Sequence, residues 1–238
     1  MNEKLTFTIV QSTLEWENPD LNKNHFSKLL ENHKLLTDII ILPEMFTTGF
    51  SMRAKDLAEP SDGPTFQWMC TIAREKNAAI CGSFIIKEDN CYYNRFIFVK
   101  PDNSFFSYNK RHLFRLAGET EYFTAGNERV VFEWKGWRIL PLICYDLRFP
   151  VWCRNRNDFD IIINVANWPI IRAEAWKIFL KARAIENQAF VFGVNRVGQD
   201  GMGHNYSGDS GAYSPYGVAL VEIRSEERRV GKECRSRW

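Results

Sequence analysis

An α/β domain of mixed sheets flanked by helices is the fold class this chain predicts, and three observations lead there. Continuous apolar runs such as Ile39-Ile40-Ile41-Leu42 read as strands buried on both faces. Helical periodicity separates the first two such runs, which makes a β-α-β unit. Turn signals at Asp89-Asn90 and Lys135-Gly136 join other runs into hairpins. β-α-β units combined with hairpins require sheets of mixed direction, with helices on the outer faces.

Taken in order, residues 5–11 form the first strand. Asn18-Pro19-Asp20 opens a helix with Leu21, Phe26, Leu29, Leu30 and His33 near helical spacing. The strand 39–42 follows and is ended by Pro43-Glu44. After a loop at 45–61, Asp62-Gly63-Pro64 starts a second helix, with Phe66, Met69, Ile72 and Ala73 inward. Strands are expected at 78–86, 92–100 and 104–108. A polar loop at 118–126 precedes the hairpin of 130–134 with 137–143. Asp146 is placed to cap a short helix that contains Pro150. Strand 160–165 leads into Ala166-Asn167-Trp168-Pro169. Helix 173–188 presents Trp176, Phe179, Leu180 and Ile185 as a core stripe. A strand at 189–195, a glycine-rich loop at 198–209 and a hairpin of 211–214 with 218–223 complete the pattern. Residues 225–238 lose periodicity and are highly charged. They are expected to be a non-native or disordered tail outside a single domain, residues 1–224.

Composition narrows the function. The 238 residues suit one α/β domain, and 45% hydrophobic with 14% aromatic residues can build a full core. A net charge of +2 gives no reason to expect nucleic acid or a membrane surface as partner. No apolar run approaches the roughly 20 residues of a membrane span. Met1-Asn2-Glu3-Lys4 leads straight into a strand without a signal-peptide core, so a cytoplasmic location is expected. The cysteines at 70, 81, 91, 144, 153 and 234 form no CxxC pair, and no histidine falls at zinc-ligand spacing. They are expected to be reduced thiols, with no metal and no cofactor. Ile9-Val10-Gln11-Ser12-Thr13 carries no glycine, which argues against a flavodoxin-like nucleotide module.

Three polar groups stand at the ends of apolar strands: Glu44, Lys110 and Cys144. The ends of parallel strands are where open α/β sheets place their chemistry. A carboxylate can take a thiol proton and later give it to a leaving amine. A lysine beside both would favour the thiolate and stabilise an oxyanion. Together they make an acyl-transfer apparatus that needs neither histidine nor metal. Read singly, each has an ordinary alternative: a solvated loop carboxylate, a solvated basic pair with Arg111, and a buried structural thiol. His112 is a competing base, weighed lower because nothing nearby in the sequence reads as its orienting partner.

Leu42-Pro43-Glu44-Met45-Phe46, Asn109-Lys110-Arg111-His112-Leu113-Phe114 and Leu142-Ile143-Cys144-Tyr145-Asp146-Leu147-Arg148-Phe149-Pro150 resemble the three signature blocks of the nitrilase (carbon–nitrogen hydrolase) superfamily. They stand in its order and at its spacings, and the likeness spans residues 5–223. The nearest likeness within it is to bacterial omega-amidases. The resemblance implies a four-layer α-β-β-α sandwich that commonly forms a homodimer through the helix after the cysteine and the helix 173–188. It implies Cys144 as nucleophile, Glu44 as general base and acid, and Lys110 with the backbone N–H of Tyr145 around the oxyanion. A second glutamate of the family matches Glu119, with Glu121 as the lesser match. The implied substrates are short dicarboxylate monoamides such as 2-oxoglutaramate. Arg115 and Arg148 are expected to meet the free carboxylate, and Phe46, Trp168 and Tyr145 to wall the pocket. The alternatives are an N-carbamoyl amine or nitrile substrate, or a catalytically silent relative that only binds. Members of the superfamily usually continue for some tens of residues past Ile223, so a C-terminally shortened domain and a weakened dimer are expected.

Overall fold

The computed structural model describes residues 4–31, 36–223 and 232–235. The chain opens with β1 (Lys4–Ile9), α1 (Pro19–Glu31) and β2 (Ile39–Ile41), continues through α2 (Ala54–Leu57) and α3 (Pro64–Lys76), and then forms β3 (Ala79–Glu88), β4 (Cys91–Val99) and β5 (Phe105–Asn109). After α4 (Glu119–Tyr122) come β6 (Phe132–Trp134), β7 (Trp137–Ile143), a 3-10 turn at Cys144–Arg148, and α5 (Pro150–Cys153). The last third holds β8 (Ile161–Ala166), α6 (Ala173–Asn187), β9 (Phe190–Asn195), β10 (Val197–Gln199), β11 (Asn205–Ser207), β12 (Ser210–Tyr213), β13 (Ala219–Ile223) and β14 (Lys232–Arg235).

Two six-stranded sheets result, ordered β14-β1-β2-β3-β4-β5 and β13-β12-β9-β8-β7-β6. Strands β1, β2 and β3 run parallel, as do β7, β8 and β9, and the antiparallel hairpins lie outside them. Side chains alternate across each strand. Ile39 and Ile41 face the second sheet, while Ile40 faces α1 and α3. The sheets meet through Phe7 stacked on Phe192 at 3.9 Å and Phe106 on Phe132 at 4.6 Å between ring centroids. Phe26, Leu30, Met69, Ile72 and Ala73 seal the outer face of the first sheet. Trp176 and Leu180 of α6 seal the second, at a point where only a glycine fits: a Cβ on Gly193 would lie 2.4 Å from Leu180 Cδ1. The layers are therefore α-β-β-α, as expected.

Three readings of the sequence change. On α6 the buried stripe is Trp176, Leu180, Arg183, Ala184 and Asn187, while Ile185 is exposed. Arg183 turns inward because its Nε and Nη2 donate to the Leu147 carbonyl at 3.0 and 2.7 Å, which ties α6 to the turn that carries Cys144. On α1, Leu21 is exposed and Asn22 is buried, its Nδ2 donating to the Thr47 carbonyl at 2.7 Å and steadying the loop after Glu44; His33 lies outside the described residues. In the expected tail, residues 232–235 form β14, antiparallel to β1 with Lys4 opposite Arg235. The rest of 225–238 lies outside the described residues.

Candidate active site

The strand ends converge. Pro43 stops β2, and Met45 at φ 41° turns the chain sharply just after Glu44. Lys110 follows β5 directly, and its backbone is pressed by Gly126. The Gly126 N–H donates to the Lys110 carbonyl at 2.8 Å, and a Cβ there would lie 2.2 Å from the Asn109 carbonyl oxygen. Cys144 follows β7 at φ 45°, in a left-handed conformation that costs a non-glycine residue about 1–3 kcal/mol. Such strain at the exit of a buried strand holds the thiol in one place.

Asp146 secures that turn. It is fully buried, and its Oδ2 accepts the Ile143 N–H at 3.0 Å and the Tyr108 hydroxyl at 2.8 Å. Its Oδ1 accepts the His112 backbone N–H at 2.9 Å, and the ring Nδ1 of His112 lies 2.8 Å away. One carboxylate thus joins the base of Cys144 to residues on both sides of Lys110. Asp146 reaches back to the strand end instead of capping α5. His112 does have an orienting partner, contrary to the sequence reading. Yet its ring bonds Asp146 and stacks on Phe149 at 3.6 Å, which makes it part of the scaffold.

Glu44, Lys110 and Glu119 form one buried network. Lys110 Nζ lies 2.9 Å from Glu44 Oε1 and 3.0 and 2.9 Å from the two oxygens of Glu119, all with fully buried side chains. Asn94 Nδ2 donates to Glu44 Oε1 at 2.8 Å and to Glu119 Oε1 at 3.4 Å. The Asn167 backbone N–H donates to Glu44 Oε2 at 2.7 Å, and Cys144 Sγ lies 3.9 Å from the Asn167 carbonyl. Glu119 starts α4, whereas Glu121 is exposed beside it.

The electrostatics follow from one cation set between two carboxylates. Burial opposes the charge on Lys110, but Glu119 and Glu44 outweigh it and hold the ammonium protonated well above the usual lysine range. Burial, with the charge of Glu44, raises the Glu119 carboxyl against the pull of Lys110. Burial pushes the Cys144 thiol well up, Glu44 adds to the push, and Lys110 only partly opposes it. Lys110 does favour the thiolate, as expected, but burial and Glu44 outweigh the pull of the lysine. Its charge is already shared by two carboxylates, so the resting cysteine is a thiol that must lose its proton during attack.

Cys144, Tyr145, Arg148 and Trp168 line a cavity that is open to solvent, together with Phe50, Phe114, Asn167, Arg172, His204 and Tyr206. Arg148 lies over the rings of Trp168 and Phe179, each at 5.2 Å, and Arg172 over Phe114 at 5.2 Å. Two expected pocket residues are elsewhere. Phe46 packs among Phe26, Trp68 and Phe84 on the helix side of the first sheet, because its side chain points away from the sheet interface. Arg115 is exposed on a 3-10 turn outside the cavity lining. Sequence reasoning missed Asn94, Asn167 and Arg172. A polar residue inside the apolar strand β4 was an available signal for Asn94, since a buried amide needs a partner. Among the described residues no group of three His, Cys, Asp or Glu side chains is arranged to hold a metal, and no helix is long and apolar enough to cross a membrane.

Comparison with known proteins accords with this geometry. The Carbon-nitrogen hydrolase family profile matches residues 8–231. The chain is 50% identical over 206 residues to omega-amidase YafV of Yersinia enterocolitica, covering 87% of this chain and 80% of the relative. It is 49% identical over 219 residues to omega-amidase YafV of Escherichia coli, covering 91% and 84%. The 2-oxoglutaramate amidase of Bacillus subtilis is 33% identical over 235 residues, covering 97% and 90%. A CN-hydrolase superfamily protein of Xanthomonas campestris, whose crystal structure carries an arsenic adduct in the active site, superposes with a TM-score of 0.93 at 46% identity, covering 97% and 90%. With the family profile matching residues 8–231 and relatives near 50% identity over most of its length, the chain belongs to the carbon–nitrogen hydrolase family of the nitrilase superfamily.

Proposed function

We propose that the protein is a cysteine amidase that releases ammonia from the terminal amide of small omega-amido dicarboxylates, 2-oxo acids such as 2-oxoglutaramate among them. The observation that carries this reading is the buried Glu44-Lys110-Glu119 network beside Cys144, which itself lines a cavity with two arginines. Glu44 takes the Sγ proton as sulfur attacks the amide carbon. Lys110 Nζ and the Tyr145 backbone N–H hold the oxyanion. Glu44 then delivers the proton to the nitrogen, the C–N bond breaks and ammonia leaves a thioester on Cys144. Water gives a proton to Glu44 and attacks the thioester carbon. The C–S bond breaks, and the proton returns to sulfur. Glu119 keeps Lys110 charged and in place throughout.

Arg148 and Arg172 form no ion pair among the described residues, and both guanidinium groups rest on aromatic faces. A fixed, anion-free guanidinium suits a substrate carboxylate. The names of the omega-amidase and 2-oxoglutaramate amidase relatives support the same substrate class. A homodimer through α5 and α6 is part of the proposal, supported by exposed Val151, Ile178 and Ile185, the last two on one face of α6. A cytoplasmic location suits the free thiols at positions 70, 81, 91, 144 and 153.

The test is ammonia release from a panel of small amides by the wild type and Cys144→Ala, with mass spectrometry of the trapped acyl-enzyme. The expected outcome is turnover only by the wild type and an adduct on Cys144. Activity surviving in Cys144→Ala, or an adduct on another cysteine, would overturn the assignment.

A further inference from the structure

We infer that Asn167 Oδ1 accepts a hydrogen bond from the nitrogen of the scissile amide and makes the site selective for amides over esters of the same acid. This rests on the amidase reading above. Asn167 follows β8 and lines the cavity with Cys144. Its other polar groups have partners. The backbone N–H donates to Glu44 Oε2 at 2.7 Å, Nδ2 donates to the Glu44 backbone carbonyl at 2.6 Å, and its own carbonyl lies 3.9 Å from Cys144 Sγ. Oδ1 is buried, in a residue only 4% exposed, and accepts from no protein group among the described residues. The amide cannot be turned over to change this. Oδ1 would then face the Glu44 carbonyl oxygen where Nδ2 now sits, two acceptors in contact.

A buried acceptor without a donor is unfavourable, and a donor that arrives with the substrate removes the penalty. The reaction supplies such a donor. The leaving nitrogen carries two hydrogens and must receive a third from Glu44 before the C–N bond breaks. Asn167 is bonded to Glu44 through both its backbone and its side chain. An N–H held by Oδ1 therefore orients the nitrogen lone pair toward the residue that protonates it. An ester oxygen has no hydrogen to offer and meets Oδ1 as acceptor against acceptor.

Paired substrates test the inference: the primary amide and the methyl ester of one acid, with kcat/KM measured for the wild type, Asn167→Ala and Asn167→Ser. Both substrates pass through the same thioester, so their ratio reports acylation alone. We expect the amide-to-ester ratio to fall about 10- to 100-fold in the variants, the size of one lost hydrogen bond to a buried acceptor. A variant that loosens Glu44 also slows the amide more than the ester, but it slows the monomethylamide and the dimethylamide alike, so that second pair measured in the variants separates the two roles. A ratio within about threefold of wild type, with the wild type active, overturns the role of Asn167 and leaves the amidase reading standing. A wild type that cleaves no amide overturns the amidase reading itself. A second measurement needs no variant. The wild type should cleave the monomethylamide, which keeps one N–H, faster than the dimethylamide, which keeps none, and equal rates overturn the proposal.

Discussion

Replacing Lys110 with methionine isolates the interaction at the centre of the site. The ammonium touches two carboxylates at 2.9–3.0 Å, and all three side chains are fully buried. Removing one partner of a buried pair costs about 3–5 kcal/mol, because the remaining charge stays uncompensated. For a chain of this size that lowers the melting temperature by roughly 6–20 °C. The loss depends on pH in a defined direction. Without the cation, Glu44 and Glu119 face each other across Asn94, and the folded state holds a proton on the pair above the usual glutamate range. A folded pKa raised above its unfolded value gives stability that is present at acid pH and lost as pH rises through the raised value. The deficit of Lys110→Met against wild type should therefore be smaller near about pH 5 than near about pH 8. Urea denaturation at the two pH values measures it, and the ammonia assay should show activity lost at both. Wild-type stability at both pH values, or a deficit larger at acid pH, would refute the reasoning.

Other outcomes follow from the same geometry. Because burial and Glu44 hold the Cys144 thiol high, iodoacetamide labelling of Cys144 should climb about tenfold per pH unit from neutral to alkaline pH; a plateau below about pH 8 would contradict this. Arg148→Met and Arg172→Met should each raise KM about tenfold or more for a carboxylate-bearing amide while sparing a neutral amide of equal length, measured by ammonia release. Asp146→Ala removes the acceptor of the Ile143, Tyr108 and His112 groups and should destabilise by about 3–5 kcal/mol in urea denaturation, with kcat falling more than KM rises. Ile178→Glu should shift sedimentation toward monomer, since it places a charge on the exposed apolar face of α6.

The sequence by itself determined the layers and the three strand-end residues. The continuous apolar run Ile39-Ile40-Ile41 implies a strand buried on both faces, and Pro43-Glu44, Asn109-Lys110 and Ile143-Cys144 mark where such strands stop. Those are local signals, written in consecutive residues. The tertiary structure alone decided everything that depends on contact between distant segments. Asn167 reaches Glu44 across 123 positions, and Asp146 reaches His112 across 34. No periodicity records such pairs. The same cause explains the misplacements. Phe46 and Arg115 lie close in sequence to Glu44 and Glu119, but the pleat and the turn direct them elsewhere. Ile185 is apolar yet exposed, because Arg183 has a buried carbonyl to satisfy. The charge state of Cys144 likewise depends first on its burial and then on the carboxylates and the lysine around it, and that surrounding exists only once the strand ends have met.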